Sequence, residues 1–213
     1  MRCLLGVVGL LVLAGPALGD DWKPLFNGKD LSGWQNAAGE QPSRGWKVED
    51  GALVRGEKAG DLWTKERFGD FVLELEFKTE GNSGVFFRTD NPRDNVQTGI
   101  EMQVDLASRA VSKHSVGAMY DLLAPSKNAA KDGEWNKVQI TAKGSRIQVV
   151  LNGEQIIDMD VDQWTTPGKN PDGTPNKFSR ALKDFAREGH IGLQEHGHNV
   201  AYRNIRIKEL KAE

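Results

Sequence analysis

The sequence predicts an all-β fold, a jelly-roll β-sandwich with one short helix. Three observations support it. Several segments alternate apolar and polar residues, as half-buried strands do. Tight-turn sequences separate neighbouring segments. Glycine supplies 24 of the 213 residues, which exceeds the average usage of about 7% and suits a turn-rich protein. Roughly ten short strands with antiparallel connections are typical of two packed sheets.

The clearest alternation lies in FVLELEFK, residues 71–78. Its apolar side chains fall at every second position and should face the core: Phe71, Leu73, Leu75 and Phe77. Residues 135–161 predict three more strands, and the Asn152–Gly153 turn separates the last two. Because Asn-Gly accepts the positive φ angles of a two-residue hairpin, that turn predicts an antiparallel pair. Shorter strands are predicted within 46–54, 83–90, 99–106 and 116–123.

One segment has helical spacing instead. Phe178, Leu182 and Phe185 recur at intervals of four and three, and Gly189 stands where a helix would stop. This pattern predicts the short helix near residues 176–187. A loop rich in proline and glycine precedes it, so that 163–188 is long for a connection between strands. We expect this excursion to wall one side of a ligand groove and to select the substrate without taking part in the chemistry.

The amino-terminal segment predicts export. An apolar run that ends in small residues is typical of a secretory signal peptide over residues 1–19, with cleavage after Gly19. The run is shorter than the roughly 20 residues of a membrane anchor, and no later segment could span a membrane. We therefore expect a periplasmic or extracellular protein. Residues 20–213 should form one domain without disulfides, because Cys3 is the one cysteine of the chain.

The charge balance argues against nucleic acid as a partner. The formal net charge is −2 at pH 7, whereas nucleic-acid-binding domains carry a basic excess.

Three predicted strands carry polar side chains on one face and apolar side chains on the other. The polar sets are Glu101, Gln103 and Asp105 in GIEMQVD, Gln194, His196 and His198 in GLQEHGH, and Arg88 beside Phe86 in SGVFFR. Because a sandwich buries one interface, these faces should point outward. Outward sheet faces are often polar simply because they are solvated. Carboxylate, amide, imidazole and guanidinium groups together nevertheless favour a groove that binds a sugar.

The spacing disfavours conventional glycoside hydrolysis. That reaction uses two carboxyl groups about 5 Å apart for retention or about 6.5–9.5 Å apart for inversion. Glu101 and Asp105 are four residues apart on one strand, about 13 Å at the usual rise. Gln103, between them, can supply neither acid nor base.

A set of short motifs resembles the 3-keto-disaccharide hydrolase family. In chain order they are LFNGKDLSGW, WKVEDGAL, GNSGVFFR, GIEMQVD, GEWN, LNG, IGLQEHGH and YRNIRI, over residues 25–207. The resemblance implies a fold like that of concanavalin-A-like lectins and laminarinase-type glucanases. It also implies lyase, hydratase or hydrolase action on 3-keto-glycosides. The groove residues carried over by position are Asn82, Arg88, Glu101, Gln103, Gln194 and His196.

A 3-keto sugar offers a route that needs one base. The ketone acidifies the proton on C2, so that its removal gives an enolate and the oxygen on C1 can leave by β-elimination. Water can then add to the enone, and the net result is hydrolysis. We expect His196 or Glu101 to act as the base and Arg88 to hold the enolate charge. The amides should orient ring hydroxyls, and His198 should contact the substrate. The substrate implies a partner oxidoreductase that makes the keto sugar.

Two alternatives stay open. His196 and His198 could bind a divalent metal together with Glu101, or they could only donate hydrogen bonds; no cofactor is otherwise expected. The protein could also be a non-catalytic extracellular carbohydrate-binding module. In that case aromatic platforms would hold the glycan, and Trp34, Trp63 and Trp164 are the candidates.

Overall fold

The computed structural model describes residues 21–42 and 45–211. The predicted signal peptide lies outside these residues. The described part is a jelly-roll sandwich of two antiparallel sheets, which confirms the predicted fold class. The strands are β1 (Lys23–Pro24), β2 (Trp34–Gln35), β3 (Trp46–Glu49), β4 (Ala52–Arg55), β5 (Leu62–Thr64), β6 (Phe71–Thr79), β7 (Ser83–Thr89), β8 (Ile100–Val104), β9 (Asn136–Lys143), β10 (Arg146–Leu151), β11 (Glu154–Asp160), β12 (His190–Leu193) and β13 (Val200–Glu209).

The chain crosses repeatedly between the sheets. The larger sheet has the order β11-β10-β9-β6-β13-β4-β3, with β1 paired to β13. The smaller sheet has the order β2-β5-β12-β7-β8. The late strands β12 and β13 each insert between earlier strands, which is the connectivity of a jelly roll rather than of simple hairpins. Consequently the smaller sheet brings together segments from both ends of the chain.

The core lies between the sheets and follows the predicted alternation. The apolar residues of β6 are at most 1% exposed: Phe71, Leu73, Leu75 and Phe77. Phe71 meets Phe87 of the facing sheet edge to face, with 6.2 Å between ring centroids. Burying each such side chain contributes about 1.5–3 kcal/mol. This shared core joins the two sheets.

The Asn-Gly hairpin is confirmed. Asn152 and Gly153 have φ angles of 51° and 85°, and Leu151 pairs with Glu154 across the turn. Both central residues therefore adopt the left-handed conformation that a type I′ turn requires.

The predicted position of the helix is wrong. The short α-helix of the described chain is α1, Asn95–Thr98, and residues 176–187 contain only a 3-10 turn at Leu182–Asp184. Phe178 and Phe185 are nevertheless buried, with their rings 5.5 Å apart. The spacing thus reflects an irregular loop that packs its aromatic side chains against the core. Among the described residues, no helix combines the length and apolar character needed to cross a membrane.

Candidate active site

The outward face of the smaller sheet carries the polar side chains of β8. Ile100, Met102 and Val104 point into the core, so the alternation places Glu101 and Gln103 on the opposite face. Across the ladder, Glu101 pairs with Phe86 and Gln103 pairs with Gly84 in β7. The predicted alternation of β8 is therefore confirmed. Asp105 is also buried, but it follows the strand and forms an ion pair with Arg109.

Glu101 is the most perturbed carboxyl group of this face. Its side chain is 5% exposed, and Oε2 lies 3.5 Å from Nζ of Lys177. The neighbouring Gly84 makes room for the carboxylate, since a Cβ at that position would overlap Oε1. Burial raises the pKa of Glu101 from about 4.5 to about 7, while the charge of Lys177 opposes this rise. A carboxyl group with such a pKa can accept or donate a proton near neutral pH.

Lys177 is held beside Glu101 by contacts to its backbone. Its N–H donates to Oδ2 of Asp121 at 2.6 Å, and its carbonyl accepts from Nε2 of Gln97 at 2.9 Å. The ammonium group lies 4.3 Å from the centroid of the Tyr120 ring. The 163–188 excursion thus delivers a positive charge to the carboxylate. We expected that excursion only to select the substrate, and its charge beside Glu101 points to a larger role.

Three amide side chains extend the polar face beyond Glu101. Nε2 of Gln103 donates to Oδ1 of Asn82 at 3.0 Å. The Oε1 atoms of Gln103 and Gln194 are buried without a hydrogen-bond partner among the described residues. An unpaired buried acceptor is costly, so these two oxygens stand out among the polar groups of this face.

The two histidines do not lie on a strand. β12 ends at Leu193, and a loop with Gly197 at φ 81° follows. The predicted shared strand face of Gln194, His196 and His198 is therefore wrong. The imidazole rings are exposed and stacked, 6.4 Å apart at 14°. His196 is still close enough to Glu101 to lower the pKa of that carboxyl group.

The donors proposed for a metal do not form a cluster. In residues 21–42 and 45–211, no group of three or more His, Cys, Asp or Glu side chains is placed to hold a metal ion. The set of His196, His198 and Glu101 is thus not assembled as a ligand sphere.

The predicted placement of Arg88 in the groove is wrong. Its guanidinium is 1% exposed and donates to the carbonyls of Gly69 at 3.0 Å and Gly144 at 2.7 Å, and to Oδ1 of Asp70 at 2.8 Å. The acceptors lie just before β6, at Gly69 and Asp70, and in the β9–β10 turn, at Gly144. A β-bulge is the physical reason, because β7 has one more residue than β12 between their paired positions, and Arg88 has φ 50°. Alternation fails there, and Arg88 joins the two sheets.

Asp61 is a site residue that the sequence analysis missed. Its Oδ1 accepts from the backbone N–H of Glu195 at 2.8 Å, and its Oδ2 accepts from Nδ2 of Asn95 at 2.9 Å. Burial raises its pKa, and its negative charge raises the pKa of Glu101. A single aspartate before a short strand has no periodicity that would single it out.

The sequence indicated in part that Tyr120 lies at this site. The segment 116–123 was predicted as a strand, and its residue 119 does bridge to Met102 of β8. The N–H of Tyr120 donates to the carbonyl of Glu101 at 2.9 Å. Lys177, by contrast, lies in an irregular loop with no pattern to mark it.

The tryptophans proposed as a glycan platform are buried. Trp34 and Trp63 are fully inaccessible, and Trp164 is 4% exposed. Trp63 packs on Gly192, where a Cβ would overlap its ring, and it lies 5.6 Å from the ring of Phe86. It therefore supports the floor of the polar face and does not offer a free stacking surface.

Known proteins share both this fold and this sequence pattern. A 3-keto-disaccharide hydrolase from Bacteroides thetaiotaomicron is 28% identical, over 92% of this chain and 80% of its own length. The crystal structure of a candidate glycosyl hydrolase from Parabacteroides distasonis has a TM-score of 0.79 and 32% identity, over 89% of this chain and 99% of that one.

A Bacillus licheniformis β-glucanase shares the fold alone, with a TM-score of 0.51 and 13% identity, over 89% of this chain and 97% of that one. The family model described as the 3-keto-alpha-glucoside-1,2-lyase-like domain matches residues 21–208, nearly all of the described chain. The chain therefore belongs to the 3-keto-alpha-glucoside-1,2-lyase-like domain family.

Proposed function

We propose that the protein is a glycosidase that cleaves 3-keto-glycosides or 3-keto-disaccharides by removing the proton on C2. One observation carries the proposal, namely the buried carboxyl group of Glu101 with a pKa of about 7 and Lys177 at 3.5 Å. The family and the hydrolase relative support the substrate class. Because the substrate is already oxidised at C3, an oxidoreductase must act before this enzyme.

The reaction begins at C2. The carboxylate of Glu101 takes the C2 proton, and the C–H electron pair forms an enolate whose charge lies on the oxygen at C3. When the ketone re-forms, a C1–C2 double bond forms and the C1–O bond breaks. The leaving oxygen takes a proton, and the product is an enone. Addition of water across C1 and C2 then gives the free 3-keto sugar.

Lys177 replaces Arg88 as the group that stabilises the enolate. Its Nζ lies next to Glu101, whereas the buried guanidinium of Arg88 is engaged with Gly69, Asp70 and Gly144. A fixed positive charge in a site of low dielectric stabilises developing negative charge more than the same charge in water. Asn82, Gln103 and Gln194 would orient ring hydroxyls through their amide groups.

His196 is suited to donate the proton to the leaving oxygen. Its ring is exposed at the rim of the site, so solvent can replace the proton after each turnover. Histidine exchanges protons near neutral pH. Glu101, which is buried on the floor, then serves as the base, and His198 would contact the aglycone.

Heavy water provides the direct test of this route. During turnover of a 3-keto-glucoside in D2O, we expect deuterium at C2 of the sugar product, since C2 loses its proton and regains one from solvent. The matched unoxidised glucoside should not react, because its C2 proton is not acidic. Product analysis by NMR and mass spectrometry would show the label. Cleavage without deuterium at C2 would contradict the proposal and indicate direct hydrolysis at C1.

Lys177→Met should shift the pH profile to higher pH. Lys177 now lowers the pKa of Glu101, so its removal should raise that pKa further above about 7, and a base must be ionised to act. The acidic limb of kcat/KM should therefore move upward, and the maximal rate should fall. Asp61 and His196 remain to act on the pKa of Glu101 in the variant.

Lys169→Met is the matched control, because Lys169 lies exposed in the same excursion. It should leave the profile unchanged. An unmoved acidic limb in Lys177→Met would exclude Glu101 as the titrating base.

A further inference from the structure

Asp61 connects the two segments that surround Glu101. One of its oxygens holds the backbone N–H of Glu195, the residue before His196. The other holds the side chain of Asn95 at the start of α1. Within the same helix, Gln97 donates to the carbonyl of Lys177. A single carboxylate thus fixes both the loop with His196 and the helix that anchors Lys177.

The loop with His196 has a second attachment. Oε1 of Glu195 accepts from Nε of Arg55 at 2.8 Å and from the N–H of Gly197 at 2.8 Å. Both side chains of this ion pair are about one-fifth exposed, 17% for Arg55 and 20% for Glu195. This attachment orients the end of the loop, whereas Asp61 determines how far its start lies from the sheet.

We propose that Asp61 is a positioning residue. It holds the loop with His196 and the helix that anchors Lys177 in their places around Glu101. Its oxygens are already engaged with protein donors, so they hold the site together and do not act on the sugar. Since a displacement of about 1 Å in a catalytic group can lower a rate about a hundredfold, such a junction matters to turnover although it lies outside the reacting atoms. The kinetic part of this inference rests on the proposed function.

Asp61→Asn tests the junction. The amide keeps the shape of the side chain but loses the charge, and with Asn95 in its present orientation one hydrogen-bond donor faces another donor. We expect kcat to fall about ten- to a hundredfold and KM to change much less, because the loops are displaced while Asn82 and Gln103 stay in place. The loss should be larger with a methyl aglycone than with a nitrophenyl aglycone, since only the poorer leaving group needs a proton from His196.

The double variant Asp61→Asn with Asn95→Asp provides the decisive comparison. The exchanged pair can re-form both hydrogen bonds, because the new amide oxygen accepts from Glu195 and its nitrogen donates to the new carboxylate. We expect most of the lost kcat to return. Asp90→Asn, at an exposed carboxylate paired with Arg67, should behave as the wild type. Unchanged kcat in Asp61→Asn, or no recovery in the double variant, would overturn the inference.

Hydrogen exchange separates this inference from the proposed function. If the wild type releases no product from any 3-keto-glucoside, the proposed function fails. The exchange rate of the Glu195 amide still tests, without any activity assay, whether Asp61 holds this loop in place. Faster exchange of that amide in Asp61→Asn, reversed in the double variant, would support the positioning role. Equal exchange in all three proteins would refute it.

Discussion

Replacing Glu101 by glutamine is expected to lower turnover of a 3-keto-glucoside by a factor of about a hundred or more, as the loss of an acid–base group does. Glutamine has nearly the same volume and should fit above Gly84, where the carboxylate now lies. It cannot accept the C2 proton. Both kcat and kcat/KM should fall together, because the lost interaction belongs to the transition state. Steady-state kinetics on purified protein would measure the effect.

Glu154→Gln is the control for this substitution. Glu154 lies on β11 of the other sheet and forms an exposed ion pair with Lys127, so the same chemical change there should leave turnover intact. A near-normal rate for Glu101→Gln would show that the base is another group, and His196→Ala would then become the variant to test.

Arg88→Met is expected to lower the free energy of unfolding by about 3 kcal/mol, the lower end of the usual loss when one partner of a buried ion pair is removed, because the side chain of Asp70 is 26% exposed. Methionine keeps the aliphatic length but leaves Asp70 without its cation. It also leaves the carbonyls of Gly69 and Gly144 without a donor from this side chain. Urea unfolding followed by tryptophan fluorescence would measure the change.

Activity separates this structural role from the catalytic one first expected for Arg88. The folded fraction of Arg88→Met should turn over substrate within a few-fold of the wild type. Arg146→Met is the control for stability, because the exposed pair of Arg146 and Asp158 contributes about 1 kcal/mol or less. A stable but inactive Arg88→Met would show that the guanidinium takes part in catalysis.

The sequence predicted the parts of the fold that follow local rules. Alternation in β6 and β8 and the Asn152–Gly153 turn each depend on neighbouring residues, and the structure confirms them. Period-two reasoning also located Glu101 on the outward face. It failed at Arg88, where a bulge reverses the direction of the side chain, and at His196, where the strand has already ended.

The site residues that the sequence did not predict depend on contacts between segments far apart in the chain. Asp61, Lys177 and Glu101 come from separate segments, and only the tertiary fold brings them together. No local pattern marks a lysine in an irregular loop or an aspartate before a three-residue strand. The false helix at 176–187 has the same origin, since buried aromatic residues of a loop reproduced helical spacing by chance.

The burial of Glu101 also affects folding itself. The pKa of Glu101 is about 7 in the folded protein and about 4.5 when exposed. Between these two pH values the folded protein therefore keeps a proton on Glu101 that the unfolded chain has released. Stability contributed by this group is full below pH 4.5 and declines as the pH rises toward 7. The difference of about 2.5 units corresponds to at most about 3 kcal/mol, a large share of the roughly 5–15 kcal/mol of a typical domain. Selection for activity and selection for stability therefore act on this position in opposite directions.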